Sequence, residues 1–202
     1  MKTIRIGAGL GFYGDAWRPI RASIERGGVK YIGSDHLAEL TLAILQKDRQ
    51  KDPAAGYARD AVPMLADLWP LAAKHCVKFV LSAGGLNPEG AREAIAKVFH
   101  AKGWKARIAT VMGDSVTERI DELCAAGETL AHLDTGADIS SVRERLVFAN
   151  AYLGAQPIAE ALARGADVVL TGRVADAALF LGPLVHELGW RWDDWDRLAA
   201  GL

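Results

Sequence analysis

Apolar positions recur along this chain in two alternating rhythms, short continuous runs and longer stretches at helical spacing, with glycine-rich turns between them. Thr3 to Ile6 reads as a short strand that runs into Gly7-Ala8-Gly9-Leu10-Gly11-Phe12-Tyr13-Gly14-Asp15, a segment too rich in glycine for a helix or strand interior. Trp17, Ile20 and Ile24 then repeat at helical spacing as far as Gly27-Gly28, and Val29 to Ile32 forms a second strand. Helix is expected from His36 to about Leu45, followed by a surface loop over Asp48 to Ala55. The stretch Tyr57 to Ala73 carries Pro63 and Pro70, which predicts two helices rather than one.

Val77 to Leu81 is almost uninterrupted in apolar residues, the pattern of a strand covered on both faces. Ser82 to Pro88 turns into a helix over Glu89 to Ala101, with Pro88 suited to a first helical turn. Ala106 to Val111 is a further strand, Gly113-Asp114-Ser115 its turn, and Val116 to Ala126 its helix. Gly127 to Ile139 leaves a hairpin, a loop or a lid open. Helices around Val142 to Ala149 and Pro157 to Ala163 precede the strand Ala166 to Leu170, and Thr171-Gly172-Arg173 leads into a last main helix, Ala175 to Leu188. About five β-α passages with short connections predict one α/β domain over residues 1–202. Its sheet is expected to be mostly parallel and doubly wound, of about five strands, with helices on both faces.

Composition supports a globular chain. Half of the 202 residues are hydrophobic and 24% are charged. Lys plus Arg number 24 against 25 Asp plus Glu, and the net charge of -1 supplies no general field for phosphate backbones, so no nucleic acid partner is expected. The start enters a strand without the pattern of a signal peptide, and no run reaches the ~20 apolar residues of a membrane span. A cytoplasmic protein without a membrane partner is the expectation. Cys76 and Cys124 lie far apart in apolar surroundings and are expected as small core residues. The scattered histidines offer no metal-ligand spacing, and no metal site is assigned.

In such a sheet, ligands bind beyond the carboxyl ends of the strands, so the post-strand turns carry the candidate chemistry. Gly9-Leu10-Gly11-Phe12-Tyr13-Gly14 satisfies the dinucleotide pattern G-x-G-x-x-G, with Asp35 at the end of the next strand. Asp15, however, stands where a carboxylate would cap the helix and repel a phosphate, and Pro19 suggests a helix that starts after the motif. Asp35, Glu39, Asn87, Asp114, Arg173 and Asp176 all follow strand ends, and Arg173 suits an anion. Asp35, Glu39 and Asp114 are the candidate proton carriers. Gly9, Gly11, Gly14, Asp15, Gly84, Gly85, Asn87, Gly172, Arg173 and Asp176 are the candidate ligand-binding residues. His36 is a further candidate acid or base. Trp190, Trp192 and Trp195 suggest a packing or partner surface.

The turns Gly9 to Asp15, Asp35-His36-Leu37-Ala38-Glu39, Ala83 to Pro88 and Met112-Gly113-Asp114 resemble those of the acyclic terpene utilisation AtuA family. So do Asn150-Ala151-Tyr152-Leu153-Gly154-Ala155, Gly165-Ala166-Asp167, Thr171 to Asp176 and Leu181-Gly182-Pro183, in the same order along nearly the whole chain. The resemblance implies a part in bacterial breakdown of citronellol and geraniol through branched acyl-CoA intermediates. It thus implies a small carboxylate or acyl-CoA as ligand, handled by an enzyme or enzyme subunit whose reaction and cofactors stay unassigned. Ser82 and His36 depart from the asparagine and aromatic residue common in the family. Family chains continue beyond this length, which implies an N-terminal part of a longer chain, completed by a C-terminal portion or by homo-oligomerisation. The alternatives are a non-catalytic assembly subunit and an NAD(P)- or flavin-binding oxidoreductase.

Overall fold

The computed structural model describes residues 2–202. Five parallel strands, β1 (Ile6–Ala8), β2 (Tyr31–Ser34), β3 (Lys78–Leu81), β4 (Ile108–Val111) and β5 (Val168–Thr171), form one sheet in the order β1-β2-β3-β5-β4. The register is continuous across the middle, with Gly33 beside Val80 and Val80 beside Val169. Successive side chains point to opposite faces, and both faces are buried. Ile32, Phe79, Leu81, Val168 and Leu170 join one apolar cluster, while Tyr31, Val80, Val111 and Val169 join the other.

Helices α1 (Arg18–Arg26), α3 (Ala61–His75) and α4 (Pro88–Ala101) cover the first face, through Ile20, Leu65, Leu68, Ile95 and Phe99 among others. Helices α6 (Gln156–Ala163) and α7 (Ala178–Leu188) cover the second, through Ile158, Leu162, Leu179 and Val185. The assignment follows from strand order. From β1 to β4 every crossover steps the same way and its helix lies on one face, whereas β4 to β5 steps back and α6 lies on the other, as right-handed crossovers require. Helix α2 (Glu39–Lys51) packs Leu42 and Leu45 with Leu37 against Tyr13, Leu86 and Phe148, all of which follow strands. It therefore sits over the carboxyl ends of the sheet.

Several elements differ from the expectation. The first strand lies later, at Ile6–Ala8, and α2 continues to Lys51 instead of ending near Leu45. The two prolines do not divide α3: Pro63 falls in its first turn, where amides lack intrahelical partners anyway, and Pro70 is carried inside. The buried stripe of Met64, Leu65, Leu68, Trp69 and Ala72 offsets the missing bond. Between β4 and α6 only α5 (Ile120–Ala125) is a full helix. The helix expected over Val142 to Ala149 is replaced by single 3-10 turns at Ile139–Ser141 and Arg143–Arg145. Val142 and Val147 are exposed there and only Phe148 packs inward, too little apolar burial to hold a helix. The last helix is α8 (Trp195–Ala200). Trp195 is exposed, whereas Trp190 and Trp192 pack on the second cluster.

Both cysteines are exposed rather than core residues. Cys76 stands at the left-handed C-cap of α3 and Cys124 near the end of α5, where each helix meets solvent. A thiol-reactive chromophore added to the native protein is expected to label both without denaturant. Labelling only after unfolding would contradict that placement.

Candidate functional site

The loop after β1 is a closed structure of its own. The Gly9 amide donates to Gly33 O at 2.7 Å and the Leu10 amide to Ser34 Oγ at 2.8 Å. The Gly11 amide donates to Asp15 Oδ2 at 3.1 Å and the Gly14 amide to Asp60 Oδ2 at 2.8 Å. Two carboxylates thus stand where a pyrophosphate would have to lie, and α1 begins only at Arg18. Asp15 closes the glycine loop instead of capping the helix. The glycine requirement at position 9 is steric, since a Cβ would meet Ser34 Cβ and Oγ at 2.5 Å.

Beneath that loop lies a buried polar network. Asp35 Oδ1 accepts from Ser82 Oγ at 2.8 Å and from the Leu37 amide at 3.1 Å, and Ser82 Oγ accepts from the His36 amide at 2.7 Å. The His36 ring is fully buried between Ser34 Oγ, 3.2 Å from Nε2, and Asp60 Oδ1, 3.6 Å from Nδ1. Nδ1 and Asp60 Oδ1 thus face each other just beyond hydrogen-bond distance, each without another partner. Burial works against charge on Asp60, but the His36 ring and the Gly14 amide outweigh it and lower its pKa. Serine, histidine and aspartate stand in triad order here, yet Ser34 is fully buried under Gly9 and no ligand carbon can approach its oxygen. The network ties the turns after β1, β2 and β3 to the start of α3.

The turns after β4 and β5 meet around Asp114, which is only 4% exposed. Its Oδ2 accepts from the Arg173 amide at 2.8 Å and from Asn150 Nδ2 at 2.7 Å, and its Oδ1 lies over Gly172. The Arg173 side chain runs the other way, toward α2. Nη1 donates to Leu37 O at 3.1 Å, Nη2 pairs with Asp176 at 3.0 Å, and the guanidinium lies 4.1 Å from the centre of the Tyr152 ring. Burial disfavours this cation, but Tyr152, Asp176 and Asp35 hold it charged and raise its pKa. Tyr152 donates in turn to Glu39 Oε1, and that bond, above all, holds the exposed Glu39 carboxyl below its ordinary value.

Beside Asp114 opens a cleft of ≈ 250 Å³ at the carboxyl ends of β3 and β4. Leu86, Pro88, Met112, Val147 and Phe148 form its apolar wall. Arg49, Gly85, Gly113, Asp114, Ser115, Thr117, Glu118 and Asn150 form its polar side. Left-handed backbone at Gly85 (φ 54) and Gly113 (φ 107) shapes the two turns. Of the residues expected from sequence, Gly85 and Asp114 line this cleft. Gly84 is buried behind it, where a Cβ would lie 2.6 Å from Thr171 O. Asn87 caps α4 through the Gly90 amide and donates to Ala54 O and Ala55 O. Gly9, Gly11, Asp35, Glu39, Gly172, Arg173 and Asp176 share the same sheet edge without lining the cleft, and Gly14 and Asp15 border a separate hollow with Trp17 and Asp67. Asn150, Tyr152, Ser82 and Asp60 were not singled out by spacing. For the first two the available signal was the segment Asn150-Ala151-Tyr152 itself, polar and aromatic where no helix could form.

Among the described residues no group of three or more metal-ligating side chains is placed to hold an ion, and no helix is long and apolar enough to cross a membrane. A family model described as acyclic terpene utilisation family protein AtuA matches residues 4–202. Comparisons with curated proteins and with solved structures find no match.

Proposed function

The chain belongs to the acyclic terpene utilisation AtuA family, and from that premise we propose that it is an enzyme or enzyme subunit which binds a small branched acyl compound, as carboxylate or thioester, in the cleft beside Asp114. The observation that supports this reading is the division of that one cleft into an apolar wall, Leu86, Met112, Val147 and Phe148, and a polar side where Asp114, Asn150 and glycine backbone stand with the charged side chains of Arg49 and Glu118. Pockets that orient a ligand combine apolar lining with a few fixed polar groups in this way. A cleft of ≈ 250 Å³ has room for a branched hydrocarbon chain and its carbonyl but not for a whole coenzyme A, which would remain outside.

Within this reading the candidate residues take different parts. Asp114 is the proton acceptor, because Oδ2 is engaged by Arg173 and Asn150 while Oδ1 remains for a ligand proton. Asn150 and the Arg173 amide hold that carboxylate in place. Asp35 positions the β2 turn through Ser82 and Leu37. The Arg173 guanidinium reaches an external anion only after Tyr152 swings off its face, and Glu39 holds Tyr152 in place.

The test is thermal unfolding with a panel of ten-carbon branched acids related to citronellol and geraniol, and with their coenzyme A thioesters. A ligand at a hundredfold excess over its Kd stabilises by about 2.7 kcal/mol, several degrees in Tm for a chain of this size. Met112→Asp, an exposed change in the apolar wall, is expected to abolish that gain and leave the unliganded Tm unchanged. No stabilisation by any member of the panel would overturn the proposal, and stabilisation indifferent to Met112→Asp would move the site elsewhere.

A further inference from the structure

Helix α2 is apolar on two sides. Its inner side buries Thr41, Leu42 and Leu45, while outside Leu40 is 61% exposed and Ile44 38%. At 100° per residue, Glu39, Ala43 and Lys47 follow one another along the outer side, with Leu40 and Ile44 beside them. Two further exposed apolar residues adjoin it. Tyr152 is fastened to Glu39 through its hydroxyl, and Val147 is fastened to Gln46, whose Nε2 donates to the Val147 carbonyl at 3.3 Å. Single exposed apolar side chains are ordinary, but Leu40 and Ile44 stand one turn apart on the outer side of one helix and, with Tyr152 tied to its first residue, form a short band; Val147 meets the helix at Gln46, roughly 160° around from Ile44, and belongs to the cleft.

We propose that this band is the interface with a second copy of the same chain, the two α2 helices crossing antiparallel on a two-fold axis at Ala43. Charge order selects that occupant. Ala43 stands midway between Glu39 and Lys47, four residues from each, so a two-fold axis there sets Glu39 of each copy against Lys47 of the other. A parallel arrangement sets like charges together. Alanine at the crossing point lets the helices approach closely, and Leu40 and Ile44 of both copies then cover one another. The chain carries its own complement in apolar area and in the sequence of charges. Tyr152, held at the start of the helix by Glu39, widens the contact beyond α2.

Analytical ultracentrifugation of the full chain is expected to give the mass of two copies. Ile44→Asp is expected to give the mass of one, with its circular dichroism unchanged because position 44 faces solvent within a single copy, and with a Tm that no longer rises with protein concentration as that of the wild type does. Lys47→Glu is expected to weaken association at least tenfold, and adding Glu39→Lys to it to restore the dimer, since the exchanged charges again face each other across the axis. A wild-type monomer at every concentration overturns the proposal. So does a dimer that tolerates both Ile44→Asp and Lys47→Glu, or a double exchange that rescues nothing. None of these readings depends on the ligand of the cleft.

Discussion

Gly172→Ala is expected to cost about 3 kcal/mol of stability, although position 172 carries no side chain and has no unusual backbone. A Cβ there would lie 2.3 Å from Asp114 Oδ1, 2.6 Å from its Cγ and 2.7 Å from its Oδ2. A flexible surface carboxylate would step aside at little cost. Asp114 is buried, and Oδ2 accepts from both the Arg173 amide and Asn150. Moving it breaks two hydrogen bonds to a charged group, each worth about 1.5–3 kcal/mol, and leaves their donors unpaired. The check is a double-mutant cycle read by urea denaturation: in an Asp114→Ala background, Gly172→Ala should cost under about 1 kcal/mol. Additive costs would show that the clash lies elsewhere. The displaced carboxylate should also remove the ligand stabilisation described above.

The second large effect is expected at the opposite, amino-terminal end of the sheet. Glu187, whose side chain is 8% exposed, accepts from the Tyr31 hydroxyl at 2.7 Å and pairs with Lys30 at 2.7 Å and Lys2 at 3.2 Å. Burial opposes its charge, but Lys30, Tyr31 and Lys2 outweigh that and bring its pKa from the ordinary 4.5 down to about 2. At 1.36 kcal/mol per pH unit the difference corresponds to roughly 3 kcal/mol, reduced to ~2 because both lysines are half-exposed and screened. The folded-state pKa lies below the unfolded one. The contribution is therefore complete above pH 4.5 and disappears as the pH falls toward 2. Glu187→Gln should be about 2 kcal/mol less stable than the wild type at pH 7 and equal to it near pH 2. A difference that stays constant over that range would refute the assignment. Tyr31 responds to the same partner, its hydroxyl kept protonated by burial and by Glu187.

How far the sequence discloses this molecule depends on what each signal measures. Val77 to Leu81 reads as a two-sided strand because both faces of the sheet are in fact covered, and Ala166 to Leu170 reads as a strand at its true place in the chain. The turn at Asn87-Pro88 reads as a helix start because the cap and the ring satisfy or remove orphan amides locally. Local signals fail where the deciding partner is distant. Helical spacing over Val142 to Ala149 says nothing of how much core lies beneath it, and only Phe148 finds any, against Leu37, Leu42 and Leu45, while Val142 and Val147 are exposed. Cys76 and Cys124 have apolar neighbours in sequence but solvent around them in space. The site shows the same division. Every post-strand turn leaves from one edge, as parallel topology demands, yet which turns share a cleft depends on side-chain reach. Arg173 turns toward Leu37 and Tyr152, and its amide, rather than its charge, holds Asp114. Asn150 contributes through a contact 36 residues away in sequence, which spacing cannot reveal.

The insertion of β5 between β3 and β4 also dictates when the sheet can be finished. A nascent chain that has emerged only as far as β4 owns four of the five strands but not the one that belongs between the last two. Until residues 168–171 arrive, β3 and β4 each expose a row of unpaired amides and carbonyls on the side facing that gap. The gap cannot be closed by pairing β3 directly with β4 without later being undone. On the ribosome the half-made sheet is thus held open for the 57 residues from Met112 to Val168, and a chain cut short anywhere in that interval presents two sticky strand edges to its neighbours.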